Sequence, residues 1–244
     1  MPSRSAQPSP ATVVQWPVRK DLHPMPSQPT PIEESLQALH DVVQAGPGLD
    51  RVASHLLPNR AFYFLRHGET QYNRERRFQG SIDVPLNETG VAQARQAARN
   101  LSGHKFTRII SSPANRVLKT ASFIAEASGA PIHIDADLME FYVGSFEGQR
   151  ITAIMKAYGL AKHDSIMSIL PDDADKWHEL VPRICAAVKR WTDRHAGETL
   201  LIAAHGLVFR ALTESLIGER PACLHAVPYH FRPNENGWDL NKVE

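Results

Sequence analysis

From residue 61 onward, short apolar runs alternate with amphipathic stretches. Ala61-Phe62-Tyr63-Phe64-Leu65 reads as a buried strand, as do Arg108-Ile109-Ile110-Ser111, Pro131 to Ile134 and Thr199 to Ala204. Between them the period changes to that of a helix. Val91 to Leu101 is predicted helical and opened by Asn87; a second helix is predicted to start with Ser112 as its cap and Pro113 at its first position. Trp177, Leu180, Val181, Ile184, Val188 and Trp191 trace one helical face, with a kink predicted at Pro182. Leu207 to Ile217 reads as a helix, residues 150–170 as one or two short helices, and residues 225–242 as a closing hairpin around Asn236-Gly237. Strands alternating with helices predict an α/β fold, a three-layer sandwich with a mostly parallel central sheet flanked by helices. There is no internal repeat.

The first sixty residues have another pattern. Eight of the 18 prolines fall in residues 1–31, separated by Ser, Gln and Thr, which predicts an extended or disordered tail. That tail lacks the apolar stretch of a secretory signal, and its Arg4, Arg19 and Lys20 leave an organelle transit peptide as an alternative. Packing of Val13, Val14 and Trp16 onto the domain or a partner is the other use it could have. Ile32, Leu36, Leu39, Val42 and Val43 recur at helical spacing until Gly46-Pro47-Gly48, and residues 49–57 suit another short helical turn. The expected organisation is thus a tail over 1–31, a helical extension over 32–60 and the α/β domain over 61–244.

Composition narrows the function classes. The 27 Lys and Arg against 26 Asp and Glu leave a formal net charge of +1, which argues against nucleic acid as a partner. No apolar run approaches the ~18 residues of a membrane span, so a soluble protein is expected. Cys185 and Cys223, in no CxxC arrangement, exclude a disulfide framework and a cysteine zinc site and fit a reducing, cytoplasmic setting.

The chemistry lies where strands end. In open α/β folds the loops at the C-terminal ends of the strands build the ligand crevice. The first strand ends in Arg66-His67-Gly68-Glu69-Thr70, the second leads into Ser112-Pro113-Ala114-Asn115-Arg116, and the fourth ends in His205-Gly206. Two histidines and two arginines therefore converge on one sheet edge, and a glycine after each histidine permits a sharp turn and a close approach. Two guanidinium forks suit a phosphoryl group. Amides at the start of the last helix, those of Gly206 and Leu207 among them, would add an anion-binding terminus. An imidazole beside such cations is held neutral and can attack phosphorus. Metal binding is the competing use of paired histidines. The arginines would repel a dication and no HExxH or Asp-rich pattern accompanies them, so no metal or other cofactor is expected.

These blocks resemble the histidine phosphatase superfamily, the phosphoglycerate-mutase-like fold. Arg66-His67-Gly68-Glu69-Thr70 is similar to its signature. Arg77-Phe78-Gln79-Gly80 through Asp83, Pro85-Leu86 and Gly90, Ser111-Ser112-Pro113 through Arg116 to Thr120-Ala121, Leu138-Met139-Glu140 through Gly144, Glu147 and Gly148, and Ala204-His205-Gly206 are similar to its other segments, in the same order over about residues 61–215. The resemblance implies His67 as a nucleophile carrying a phosphohistidine, with Arg66, Arg116 and His205 around the transferring oxygens. It implies Glu140 as the proton donor and base, a role favoured by a carboxyl raised in pKa among Leu138, Met139, Phe141 and Tyr142. It also implies Asn73 as a neutral phosphate donor, with Gln79 and the Gly80 amide facing the substrate. A turn residue at Gln79, a local cap at Asn73 and a solvated loop acid at Glu140 are the structural alternatives.

Cofactor-dependent mutases of this family carry an Arg shortly after the acid, whereas Glu140 is followed by Phe141-Tyr142-Val143 and then no Arg until Arg150. That favours a phosphatase acting on a small-molecule phosphomonoester, or on phosphoproteins, which the sequence does not separate from it. A mutase and a non-catalytic phosphate-binding relative are the alternatives. The chain departs from the family at Ala174-Asp175-Lys176, where Gly-Glu-Ser is frequent, and at Leu207, where a second glycine often follows His-Gly. The apolar 150–170 segment reads either as a lid tolerant of bulky phosphomonoesters or as core packing. The family often forms homodimers, and no stretch here marks the surface. The remaining histidines, His225 among them, have no ligand spacing and read as surface or packing residues.

Overall fold

The computed structural model describes residues 53–161 and 165–243; the Pro-rich stretch 1–31 and the predicted helix after it lie outside the described residues. A short 3₁₀ turn, Ser54–Leu56, falls within the turn expected over 49–57. Among the described residues six strands form one sheet: β1 (Phe62–Arg66), β2 (Arg108–Ser111), β3 (Ile132–Ile134), β4 (Leu200–Ala204), β5 (Pro228–Asn234) and β6 (Gly237–Lys242), in the order β3-β2-β4-β1-β5-β6. The first four neighbours pair in parallel, and β5 joins β1 antiparallel before turning through Glu235 and Asn236 into β6.

The layering arises from residue alternation. Successive strand residues point to opposite faces, and both faces here are apolar, as in a parallel sheet covered on two sides. Phe62, Phe64, Ile110, Ile202 and Ala204 point to one face, where they meet Val181, Ile184 and Val188 of α5 (Trp177–Arg194) and Val208, Phe209 and Leu212 of α6 (Gly206–Leu216). Leu65, Ile109, Leu201 and Ala203 point to the other face, covered by Ala97 of α2 (Glu88–Asn100) and Val117, Ala121 and Ile124 of α3 (Asn115–Ser128). The predicted three-layer sandwich is therefore what these residues build. Asn87 caps α2 through its side chain, as expected, and Pro182 lies inside α5 without ending it.

Two regions differ from, or decide between, the sequence expectations. The start of α3 lies later than predicted: its N-cap is Ala114 and makes no side-chain cap. Ser112 lies two residues before that N-cap; its hydroxyl stands 2.7 Å from Nε2 of His205 and accepts from the Ala114 amide at 3.5 Å. Residues 150–170 hold α4 (Ile151–Ala157) and a 3₁₀ turn at Ile166–Ile169, and Ile151, Ile154 and Ile166 are buried in the α5 and α6 side of the core. For these three residues core packing is the observed use.

Register brings the strand ends into line. Arg66 pairs with Ala204 and Ser111 with Ala203; the ladder extends as His67 N donates to Ala204 O at 3.1 Å and Ser112 N to Ala203 O at 3.0 Å. The turn after His67 is then pressed against the start of α2. A Cβ on Gly68 would lie 2.4 Å from the Gly90 carbonyl oxygen, and a Cβ on Gly90 would lie 2.0 Å from that of Glu69. Helix propensity alone makes Gly90→Ala stabilising by about 1 kcal/mol. The contact reverses the sign. Urea unfolding of Gly90→Ala is expected to show a loss of about 1–3 kcal/mol, and a raised midpoint would contradict this packing.

Candidate active site

His67 sits at the end of β1, where parallel register fixes its main chain, and its ring is buried. Its Nδ1 lies 2.8 Å from the carbonyl oxygen of Gly68. A carbonyl only accepts, so Nδ1 carries the proton and Nε2 keeps its lone pair. Burial holds the imidazole well below its ordinary pKa, and the charges of Arg116 and Arg66 push it the same way. The ring is therefore neutral across the ordinary pH range, with one nitrogen bare.

The cations come from two different elements. Arg66, the last residue of β1, donates through Nη1 to the carbonyl of Cys223 at 2.7 Å. Arg116, near the start of α3, is 1% exposed and donates to the carbonyls of Ile82 at 2.8 Å and Gly80 at 2.9 Å. Its Nη2 also faces Nδ1 of His205 at 3.4 Å. A guanidinium only donates, so His205 accepts at Nδ1 and carries its proton on Nε2, which donates to the Ser112 hydroxyl. Burial, Arg116 and Arg66 hold His205 well below its usual value too. Its ring centroid lies 5.5 Å from that of His67. Each arginine retains a buried Nε–H with no partner among the described residues, and unpaired buried donors of this kind suit an oxyanion.

Glu140 comes just after the 3₁₀ turn Ala136–Leu138; the carbonyl oxygens of Asp137 and Met139 are both held by Arg183, at 3.1 and 3.2 Å. The amide of Leu207, in the first turn of α6, donates to Oε1 at 3.2 Å and Oε2 at 3.4 Å. The helix terminus expected to receive a ligand anion thus holds a protein carboxyl. Burial raises the Glu140 pKa above its ordinary value, while the Phe141 amide, Arg116, Arg66 and the Leu207 amide oppose it. Gly206 backs onto Arg66, but a Cβ there would meet Cζ at an ordinary 3.4 Å; the close approach expected of both His-Gly glycines is found at Gly68 alone.

The remaining predicted residues form a loop clasped around Arg116. Asn73 is a local cap: Oδ1 accepts from the Thr70 amide at 3.1 Å and from its hydroxyl at 3.0 Å, in a reciprocal capping box that starts α1 (Gln71–Arg74). Gln79 is buried, and its Oε1, 2.9 Å from the same Thr70 hydroxyl, shares that single proton with Asn73. Gly80 presents its carbonyl to Arg116, and the loop is pinned by Glu147, which accepts from the Ser81 amide and, at 3.0 Å, from its hydroxyl.

Three neighbours were not assigned from sequence. Ser112 orients His205, and Arg183 holds the Glu140 loop. His225 lies against His67, with Nδ1 3.2 Å from the His67 carbonyl oxygen and ring centroids 5.7 Å apart. No local sequence signal marks it: the antiparallel pairing of β5 with β1 is what brings the residues before β5 to the same sheet edge where the parallel strands end. Among the described residues no group of three or more His, Cys, Asp or Glu could hold a metal ion, and no helix is long and apolar enough to cross a membrane.

Comparison with known proteins agrees with this geometry. The chain is 33% identical over 159 residues to a probable phosphoglycerate mutase, GpmB, of Escherichia coli, covering 64% of this chain and 74% of that one. The solved structure of YhfR from Bacillus stearothermophilus superposes with a TM-score of 0.67 at 27% identity, covering 75% of this chain and 96% of that one. A mycobacterial glucosyl-3-phosphoglycerate phosphatase shares the fold, with a TM-score of 0.64 at 23% identity over 75% of this chain and 98% of that one. The profile of the histidine phosphatase superfamily (branch 1) matches residues 62–234, and the chain belongs to that family.

Proposed function

We propose that this protein is a phosphomonoester hydrolase that works without a metal through a phosphohistidine on His67. The observation that carries the reading is the bond from Nδ1–H of His67 to the Gly68 carbonyl, which leaves Nε2 bare beside two guanidinium groups with unpartnered Nε–H donors. In the first half-reaction the Nε2 lone pair forms the N–P bond as the ester P–O bond breaks, and Glu140 gives its proton to the leaving oxygen. In the second, water attacks phosphorus, the N–P bond breaks, and the Glu140 carboxylate takes the proton from water. Arg66 and Arg116 supply the charge that a metal supplies elsewhere in phosphoryl transfer. Asn73, with Oδ1 committed to its cap, has its amide nitrogen to offer an oxyanion.

A phosphoglycerate-type mutase is the second reading, favoured by the name of the Escherichia coli relative. The positions after Glu140 speak against it. Phe141 and Val143 are buried in the core, so neither supplies a cation for a substrate carboxylate. Release of inorganic phosphate from a phosphoglycerate supports the hydrolase, and isomerisation without release supports the mutase.

Two measurements test the hydrolase. A chromogenic aryl phosphate is hydrolysed in excess chelator, and His67→Ala reduces the rate to background; loss of activity on chelation contradicts the reading. The pH profile of kcat/KM is the second test. Glu140 must be protonated to act first as an acid, so the rate falls as pH rises through its raised pKa. His67 must be neutral, and its lowered pKa moves the acidic limb far down. Glu140→Gln removes the alkaline limb and lowers kcat/KM on an alkyl phosphate by about 10²–10⁴. The loss is smaller on an aryl phosphate, whose leaving group needs no proton.

A further inference from the structure

The segment before β5 makes three bonds to the Arg66-His67 pair. The Cys223 carbonyl accepts from Arg66 Nη1 at 2.7 Å, the Ala226 amide donates to the Arg66 carbonyl at 3.1 Å, and His225 Nδ1 reaches the His67 carbonyl at 3.2 Å. The segment is itself held in a costly shape: Ala226, buried and not a glycine, has φ +50, in the left-handed region. Backbone strain of this kind persists only where surrounding contacts over-determine it, and it clusters at functional sites. The neighbouring turn is fixed by Tyr229, whose hydroxyl accepts from the Leu224 amide and donates to the Ala222 carbonyl, both at 3.1 Å.

Within this segment it is the His225 side chain that bonds the nucleophile's own residue. The His67 carbonyl can only accept, so His225 carries its proton on Nδ1 and is neutral; burial and the Arg66 charge hold its pKa down at about 3. The bond acts on the peptide whose next carbonyl, that of Gly68, fixes the His67 tautomer. Two consecutive peptide carbonyls therefore set the nucleophile: one is gripped by His225, and the other grips His67.

We propose that His225 is a positioning residue for His67, holding the His67-Gly68 peptide so that the bare Nε2 is aligned for in-line attack; the inference rests on His67 being the nucleophile. Its donor function is local. An asparagine places an amide N–H close to where histidine places Nδ1–H, whereas alanine removes the donor. Misalignment of a nucleophile weakens the transition state more than it weakens ground-state oxyanion binding.

The test compares wild type, His225→Asn and His225→Ala by steady-state hydrolysis of an aryl phosphate and by inhibition with metavanadate and with inorganic phosphate. Vanadate mimics the in-line transition state with an apical bond to the nucleophile, and phosphate reports oxyanion binding alone. His225→Ala is expected to lower kcat and to weaken vanadate by about tenfold each, with KM and phosphate inhibition changed less than about threefold. His225→Asn is expected to restore both to within about threefold of wild type. Melting temperatures of the two variants identify any loss that comes from unfolding. The proposal is overturned if alanine matches wild type, if asparagine is as impaired as alanine in a folded protein, or if vanadate and phosphate weaken equally. A wild type that neither turns over nor binds vanadate overturns the phosphohistidine reading and this inference with it; an active wild type with an indifferent His225→Ala overturns the inference alone.

Discussion

A positive charge that cannot reach water organises this site. Arg116 is buried to 1% exposure, and its ion-pair partner Asp83 stands 3.7 Å away on a partly exposed loop. Burying a guanidinium is costly unless its donors are met. Here its Nη donors are met by the carbonyls of Gly80 and Ile82 and by the unprotonated nitrogen of His205. Each of those contacts fixes something else. The two carbonyls shape the loop that carries Gln79 and Gly80, which Glu147 closes from the other side. The bond to His205 sets its tautomer, so that its other ring nitrogen engages the Ser112 hydroxyl. The Nε–H donors of Arg66 and Arg116 still lack partners among the described residues. In the proposed reaction a phosphoryl group is what meets them.

The same cations sort the titratable groups. With burial, they keep His67 and His205 neutral, while burial raises Glu140 against their pull. A nucleophile kept neutral and a carboxyl made easier to protonate thus share one pocket, the pairing that nucleophilic attack with leaving-group protonation requires. The α6 terminus contributes by holding Glu140 through the Leu207 amide, which ties the acid to the strand end that carries His205.

Much of this can be read from the chain alone, for a physical reason. Strands buried on both faces give continuous apolar runs such as Phe62 to Leu65 and Leu200 to Ala204, and the residues just after such a run must lie at the sheet edge. Arg66, His67, Arg116 and His205 are visible in that way. His225 is hidden because it precedes an antiparallel strand, so it reaches the edge from the opposite chain direction. Ser112 misleads because a serine before proline has the local signature of a cap, and only the β2–β4 register brings His205 within reach of its hydroxyl. Asn73 fits both a local and a catalytic use, and its cap engages only its oxygen. The apolar 151–166 stretch could line a lid or a core; contact with the α5 and α6 layer, which no local pattern encodes, sets Ile151, Ile154 and Ile166 in the core.

Attack by His67 through Nε2 is the step on which the proposed mechanism turns. Quenching the enzyme in alkali during turnover of a phosphomonoester, where phosphohistidine survives, and recording its phosphorus NMR spectrum tests this directly. A single phosphohistidine is expected, on Nε2 of His67 and absent from His67→Ala. Phosphate on Nδ1, on another residue, or on no residue during rapid turnover would contradict it.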